Sequence, residues 1–362
     1  MDISDILEIT GDTGAAALIG LVVGGIFGVS SQRSRFCLRA ATVEFARGQL
    51  GTRMSVWLLC FSTAVFWTQA FTLSGLVPLE QARWLASPGS ISGAILGGLL
   101  FGAGMVLTRG CSGRLLVLAA CGNLRALLSG LVFAVTAQMT LHGVLAPARN
   151  ALAGLWTTSG GANIELTSFF GLGPYAGVAI GAILAIVALV VSRRAGIGWW
   201  VLIFGSGVGF AVGAGWLLTA MISVQSFDLI SVESLTFSGP SADTLMFFMT
   251  AQDVADFDIG LIPGVFLGAA LAALLAREWK LEGFEGAKSM RRYLSGAAMM
   301  GFGAMLAGGC AIGAGVTGAS TFAMTAWLAL TCMWIGAVAT DYLVDQRAEG
   351  TVGPSPSGRP AV

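Results

Sequence analysis

Charge divides this 362-residue chain into apolar stretches of roughly 17 to 25 residues, the length that crosses a hydrocarbon core. Nine are read, at about 14–30, 53–77, 90–108, 124–144, 173–193, 198–221, 259–277, 293–308 and 322–342. Few folds are open to such a chain. At membrane depth every backbone N–H and C=O needs a partner inside the protein, so stretches of this length cross as helices. With 56% hydrophobic and 10% charged residues, the sequence lies far from soluble domains and reads as an all-α polytopic membrane protein.

The nineteen Lys and Arg residues give a direction. Assigned to the segments between nine spans, seventeen fall on one side and two on the other. Basic segments stay in the cytoplasm, which puts the N-terminus outside and the C-terminus inside. The acidic opening MDISDILEITGD lacks the basic n-region of a cleaved signal, so the first span is expected to remain. A net charge of zero argues against nucleic-acid partners. Six cysteines without a C-x-x-C, and His142 as the only histidine, make a disulfide framework and a zinc site unexpected. No cofactor is expected.

A glycine pattern recurs along the chain and ends in a thiol. Gly97 to Cys111 reads GGLLFGAGMVLTRGC and Gly296 to Cys310 reads GAAMMGFGAMLAGGC, identical at six of fifteen positions. Cys37 stands nine residues after Gly28, and in WVLIFGSGVGFAVGA a further copy has Ala214 in place of the cysteine. The copies fall on spans 1, 3, 6 and 8, so each half is five spans from its counterpart. An odd offset reverses direction, and the reading is an inverted-topology pseudo-repeat of four plus four helices. The first half covers about 14–144, a linking helix 173–193, and the second half about 198–342. Residues 1–346 then form one transmembrane domain, followed by a flexible cytoplasmic tail, 347–362.

After three of the motifs the apolar run stops and restarts as a short stretch, at Leu38 to Gly48, Arg114 to Gly122 and Ala311 to Ser320. These read as central loops followed by half-helices, about four in all, tolerated at depth only where they line a polar path or are buried in protein. The segments 145–172 and 224–258 are expected as outer loops, with Asp228, Glu233, Asp243, Asp253, Asp256 and Asp258 mostly solvated.

Cys37, Cys111 and Cys310 share one register of the repeat, whereas Cys60, Cys121 and Cys332 lie in apolar stretches without a pattern. A neutral thiol is a weak donor and a soft acceptor, suited to sulfur-bearing anions rather than hard oxyanions. Half-helix N-termini carry about +0.5 charge each and would supply positive potential without a buried cation. Arg109 and Arg114 bracket Cys111 as candidate anion contacts, and Gly110 and Gly309, next to the second and third thiols, are counted with the path. Arg33, Arg35 and Arg39 are expected to snorkel to the headgroups. Gln69, Gln138, Thr140 and His142 are candidates to line the path or to bond a neighbouring helix.

The segments SQRSRFCLRAA around Cys37, LTRGCSGR around Cys111 and MGFGAMLAGGCAIGAG around Cys310 resemble the YeeE/YedE family of bacterial inner-membrane sulfur transporters. The likeness includes GPSADTLMFFMTAQDVADFDIG and runs from about Gly20 to Asp341. It implies thiosulfate uptake by nine spans with four central loops in an hourglass, the ion being relayed by thiol hydrogen bonds from Cys37, Cys111 and Cys310. It also implies transfer to a cytosolic sulfur-carrier or rhodanese-like protein. Where the family reads Gly-Gly-Cys at the second motif, this chain has Arg109-Gly110-Cys111. The resulting expectation is a carrier and not an enzyme. Another sulfur or selenium species, a thiol–disulfide membrane redox subunit, and a channel for small neutral solutes remain as alternatives.

Overall fold

The computed structural model describes residues 4–159, 161–226, 230–250, 256–284 and 286–347. In chain order the helices are α1 (Ser4–Ser34), α2 (Leu38–Ala46), α3 (Thr52–Leu73), α4 (Arg83–Ala86), α5 (Ile91–Leu107), α6 (Ser112–Ala120), α7 (Leu124–Leu141) and α8 (Ala146–Ala153). They continue with α9 (Leu166–Phe169), α10 (Ala176–Arg194), α11 (Trp199–Gln225), α12 (Gly239–Met249), α13 (Phe257–Leu275), α14 (Ala287–Leu306) and α15 (Met324–Thr340). Among the described residues the fold is helical, with only isolated β-bridges such as Asn123 to Glu282. Residues 348–362, and with them nearly all of the expected tail, lie outside the described residues.

Among the described residues, eight segments are long and apolar enough to cross a membrane, built on α1, α3, α5, α7, α10, α11, α13 and α15. Together they make this a multi-pass membrane protein. The other expected span, α14, is 20 residues long, but Lys288, Arg291 and Arg292 occupy its first two turns.

Glycine decides which helices meet. On α1, positions for a Cβ at Gly20, Gly24 and Gly28 lie 2.2, 2.4 and 2.4 Å from the carbonyl oxygens of Phe257, Leu261 and Val265 on α13. The reverse holds on α13, where Gly260, Gly264 and Gly268 face the carbonyls of Ala17, Leu21 and Gly25 at 1.9, 2.3 and 2.4 Å. Two small-xxx-small ridges therefore interlock backbone to backbone, the close approach that glycine permits between membrane helices. The same device sets α5 between two neighbours. Gly97 and Gly104 face Gly303 and Gly296 of α14, and Gly98 and Gly102 face the carbonyls of Ala329 and Met333 on α15.

The remaining long helices pack in a regular scheme: α1 on α11, α3 on α11 and α10, and α7 on α14. The helix α10 touches the bundle through Gly177 and Gly181, against Gln69 and Phe66 of α3. Its opposite side, with Ile183, Ile186, Val187 and Val190, is exposed, as a lipid-facing surface requires.

Short segments fill the middle. The helices α2 and α6 follow α1 and α5 directly, and after α14 the chain makes a wholly buried π-helical turn, Gly313–Gly318. The fourth copy departs from expectation: α11 runs unbroken through Ala214, so no loop opens there. The equivalent break comes after Gln225. Val232, Ser234, Leu235, Phe237 and Ser238 are buried, and α12 starts behind them with Pro240 in its first turn, where its missing N–H has no bond to lose. Much of the segment expected as an outer loop is thus a central loop and half-helix. Thr219 Oγ1 donates to Glu233 O (2.6 Å), Ser234 Oγ to Val212 O (2.7 Å) and Thr317 Oγ1 to Leu235 O (2.6 Å).

Gly264→Val is expected to destabilise the α1–α13 contact by about 1–3 kcal/mol, the usual cost of overpacking. A thermal melt of the detergent-solubilised protein reads this. Gly25→Ala is the comparison, because its nearest neighbour lies 3.9 Å away and the change should raise stability by up to about 0.5–1 kcal/mol instead of lowering it.

Candidate functional site

The three repeat cysteines occupy one local structure. Residue 35, 109 or 308, two places before each thiol, is left-handed, with φ of 54°, 57° and 79°. In the first two copies the turn closes by backbone bonds of the Schellman type: Phe36 N to Ser31 O (3.2 Å) and Gly110 N to Met105 O (3.1 Å). One residue later the chain is extended at Cys37 and Cys111, each the N-cap of the next short helix. Gly309 is tight for another reason, since a Cβ there would lie 2.7 Å from Ala314 N and 3.1 Å from the Trp84 ring. Gly110 is buried but roomier, its nearest neighbour being Leu115 Cδ2 at 3.5 Å.

The thiols of Cys37 and Cys111 are close neighbours that act on each other electrostatically. Arg114 acts on both electrostatically, and its buried Nη1 has no hydrogen-bond partner among the described residues. Arg109 is exposed and lies near Arg39, so of the two arginines bracketing Cys111 the structure brings Arg114 to the thiols.

Cys310 is fully buried, and its Sγ accepts from Phe237 N (3.3 Å) and Gly313 N (3.4 Å). The equivalent N–H groups, of Ala40 and Arg114, face the sulfurs of Cys37 and Cys111 without closing a cap bond. A sulfur whose lone pairs meet N–H donors keeps its S–H free to donate. Phe237 joins the two groups of thiols: its backbone holds Cys310, while its ring lies 4.9 Å from Phe27, centroid to centroid, and against Gly113 in the first turn of α6.

Beyond Cys310 a cavity of about 300 Å³ is bordered by Gly308, Thr317 and Thr236, with Arg83 and Arg149 on its wall. Beyond Cys37 lies an ionic cluster. Asp345 pairs with Arg39 (3.6 Å) and Arg292 (2.8 Å), Arg47 with Asp341 (3.7 Å), and Arg35 with Glu278 (3.7 Å). Arg35 and Arg39, expected to snorkel, are held in ion pairs; Arg33 is exposed. Gln69 bonds across helices, Nε2 to Ser320 O at 2.8 Å, and Thr140 bonds back to Thr136 O. His142 caps the exposed end of α7. Cys60 and Cys332 stand outside this constellation, Cys121 lies within the electrostatic reach of Arg114, and among the described residues no group of His, Cys, Asp and Glu has the arrangement of a metal site.

The family model for sulphur transport matches residues 33–339, from just before the first thiol to the end of α15. The chain belongs to that family, YeeE/YedE. Two similar proteins are the thiosulfate transporters TsuA of Escherichia coli strain K12 and of Spirochaeta thermophila. The first is 26% identical over 360 residues, 92% of this chain and 96% of the relative. The second is 27% identical over 331 residues, 86% and 93% respectively.

Within this sulphur transport protein Arg109 sits where the backbone favours glycine. A left-handed L-residue costs about 1–2 kcal/mol, and the unfolded-state freedom of glycine cancels about 0.5–1 of that. Arg109→Gly is therefore expected to raise stability by about 0.5–1 kcal/mol, and Gly308→Ala to lower it by a similar amount. Unfolding midpoints of the two purified variants decide this.

Proposed function

We propose that this protein carries thiosulfate inward across the inner membrane, the ion being passed between neutral thiols along one path. The observation that carries the reading is the convergence of three thiols from distant parts of the chain. Cys37 and Cys111 are electrostatic neighbours at the starts of α2 and α6, and Cys310 is linked to the Cys111 turn through Phe237. Thiosulfate has a sulfur end that a thiol hydrogen-bonds as readily as it does any soft acceptor, and an oxyanion end that suits N–H donors and arginine.

The helix packing supports the inverted repeat. Exchanging α1, α3, α5 and α7 with α11, α13, α14 and α15 turns the α1–α13 contact into α11–α3, and α5–α15 into α14–α7. The pairs α1–α11 and α5–α14 map onto themselves, leaving α10 as the link. In this reading α14 is a ninth span, its basic first turns lying at the cytoplasmic face. The N-terminus is then outside, and the cluster of Arg39, Arg47, Arg292, Asp341 and Asp345 is cytoplasmic. The ion enters by the cavity at Arg83 and Arg149, meets Cys310, passes the Phe27–Phe237 contact and reaches Cys111, Cys37 and Arg114. Arg109 and Gly110 shape the turn before the second thiol, and Gly309 the turn before the third. Release beside the ionic cluster would deliver the ion to a cytosolic sulfur-carrier protein.

Cys111→Ala is expected to abolish uptake of labelled thiosulfate into proteoliposomes, and Cys37→Ala and Cys310→Ala to slow it at least tenfold. Cys60→Ala, Cys121→Ala and Cys332→Ala should stay within twofold of the parent. Equal behaviour of the two sets sinks the relay. Arg114→Gln is expected to raise the KM at least tenfold while the protein remains folded.

A further inference from the structure

Besides the two arginines of the entry route, the cavity beyond Cys310 holds groups that the thiol path does not use. Arg83 and Arg149 supply positive charge, but Arg83 Nη2 is engaged by Gly308 O at 2.8 Å and Arg149 by Asn150. Trp216 on the wall is 1% exposed, and its indole N–H has no hydrogen-bond partner among the described residues. A buried, unanswered donor of this kind costs free energy until something accepts from it.

Facing these donors are three carboxyl groups from three elements: Glu233 on the central loop, Asp243 on α12 and Asp258 in the first turn of α13. Asp243 Oδ2 and Asp258 Oδ2 each lie 3.7 Å from the point where a Cβ on Gly239 would sit, so they share one corner. Asp258 Oδ1 is sealed from solvent and lacks a hydrogen-bond partner among the described residues. Glu233 is fixed by its main chain, which both donates to and accepts from Thr219 Oγ1, at 3.2 and 2.6 Å. Among the described residues no ion pair reaches any of the three; the other charged or titratable groups that face them are Arg83, Arg149, Asp256 and His142.

Three ionised carboxylates at the mouth of an anion path would repel the anion, and carboxyl groups this close do not all ionise together. We propose that this cavity is an entry site where an oxyanion and a proton bind together, the anion on Arg83, Arg149 and the Trp216 N–H, the proton on the group of three carboxyls, Glu233, Asp243 and Asp258. Linkage makes the effect reciprocal: an anion in the cavity raises the carboxyls' affinity for protons, and a bound proton raises the affinity for the anion by the same factor. Burial first, then Asp256, holds the Glu233 carboxyl up to about 7, so the proton is exchangeable near neutrality. Burial likewise raises Asp243. The inference rests on the anion-carrier reading, and the anion used to test it is thiosulfate, which keeps both charges throughout the neutral range.

The test is the KM for labelled thiosulfate in proteoliposomes at external pH values from roughly 6 to 8.5, for the parent, Glu233→Gln, Asp258→Asn and the surface control Glu80→Gln. For the parent and the control, KM is expected to rise about tenfold per pH unit above neutrality. Glu233→Gln fixes the neutral form, and its KM should stay low and flat with pH, which mere loss of structure would not produce. Asp258→Asn should flatten the profile in the same way, and it stands in if Glu233→Gln does not fold. A KM independent of pH in the parent, or a parent-like slope in both variants, overturns the proposal and leaves the transport reading intact. No thiosulfate uptake by the parent at any pH overturns the transport reading itself.

Discussion

The structure depends on satisfying irregular backbone where water is absent. Four segments near the middle of the bundle leave regular α-helix, and each exposes N–H and C=O groups that lipid cannot answer. The chain meets this by walling them with helices that touch backbone to backbone. The ridges Gly20, Gly24, Gly28 and Gly260, Gly264, Gly268 bring α1 and α13 together with nothing but main chain between them. The glycines of α5 do the same against α14 and α15. Side chains of Gln69, Thr219, Ser234 and Thr317 then reach from the walls to the remaining carbonyls. Because the walls are glycine, the loops can be close to one another, and thiols far apart in sequence become neighbours.

On the proposed reading, that arrangement suits an anion that must be held briefly. A dianion entering against an interior-negative potential meets an opposing term of about 4.6 kcal/mol per 100 mV, and a permanent deep cationic trap would oppose its release. Neutral thiols, helix N-termini and a partly engaged set of arginines offer attraction in small amounts. Of the arginines near the thiols, Arg39 is shared with Asp345, while Arg114 has no ion pair among the described residues, and each keeps one buried nitrogen without a hydrogen-bond partner among them.

Much of this was legible in the sequence, and the misses have definite physical causes. Lengths and hydropathy gave the long helices, because a span has to match the bilayer. Three thiol turns were found because cysteine marks them. The fourth was misplaced because glycine has two uses that look alike in a sequence: allowing a left-handed turn and allowing close approach. In α11 the repeat glycines serve the second use, Gly207 lying on Ser30 and Gly213 on Trp67, so the helix continues. The true break, around Val232 to Ser238, has no thiol and carries Glu233, so its polar look concealed its burial. Arg35 and Arg39 were read as headgroup seekers because their partners, Glu278 and Asp345, are more than two hundred residues away.

The left-handed residue before each thiol has a further consequence. Its main chain sets where the sulfur stands, while its side chain turns away from it, and at 35 and 109 that side chain is exposed at the surface. Address and appearance are therefore separate variables at one codon. Glycine, arginine or asparagine at these two sites would repaint the electrostatic face of the surface there, while the metre of the thiols within stays fixed.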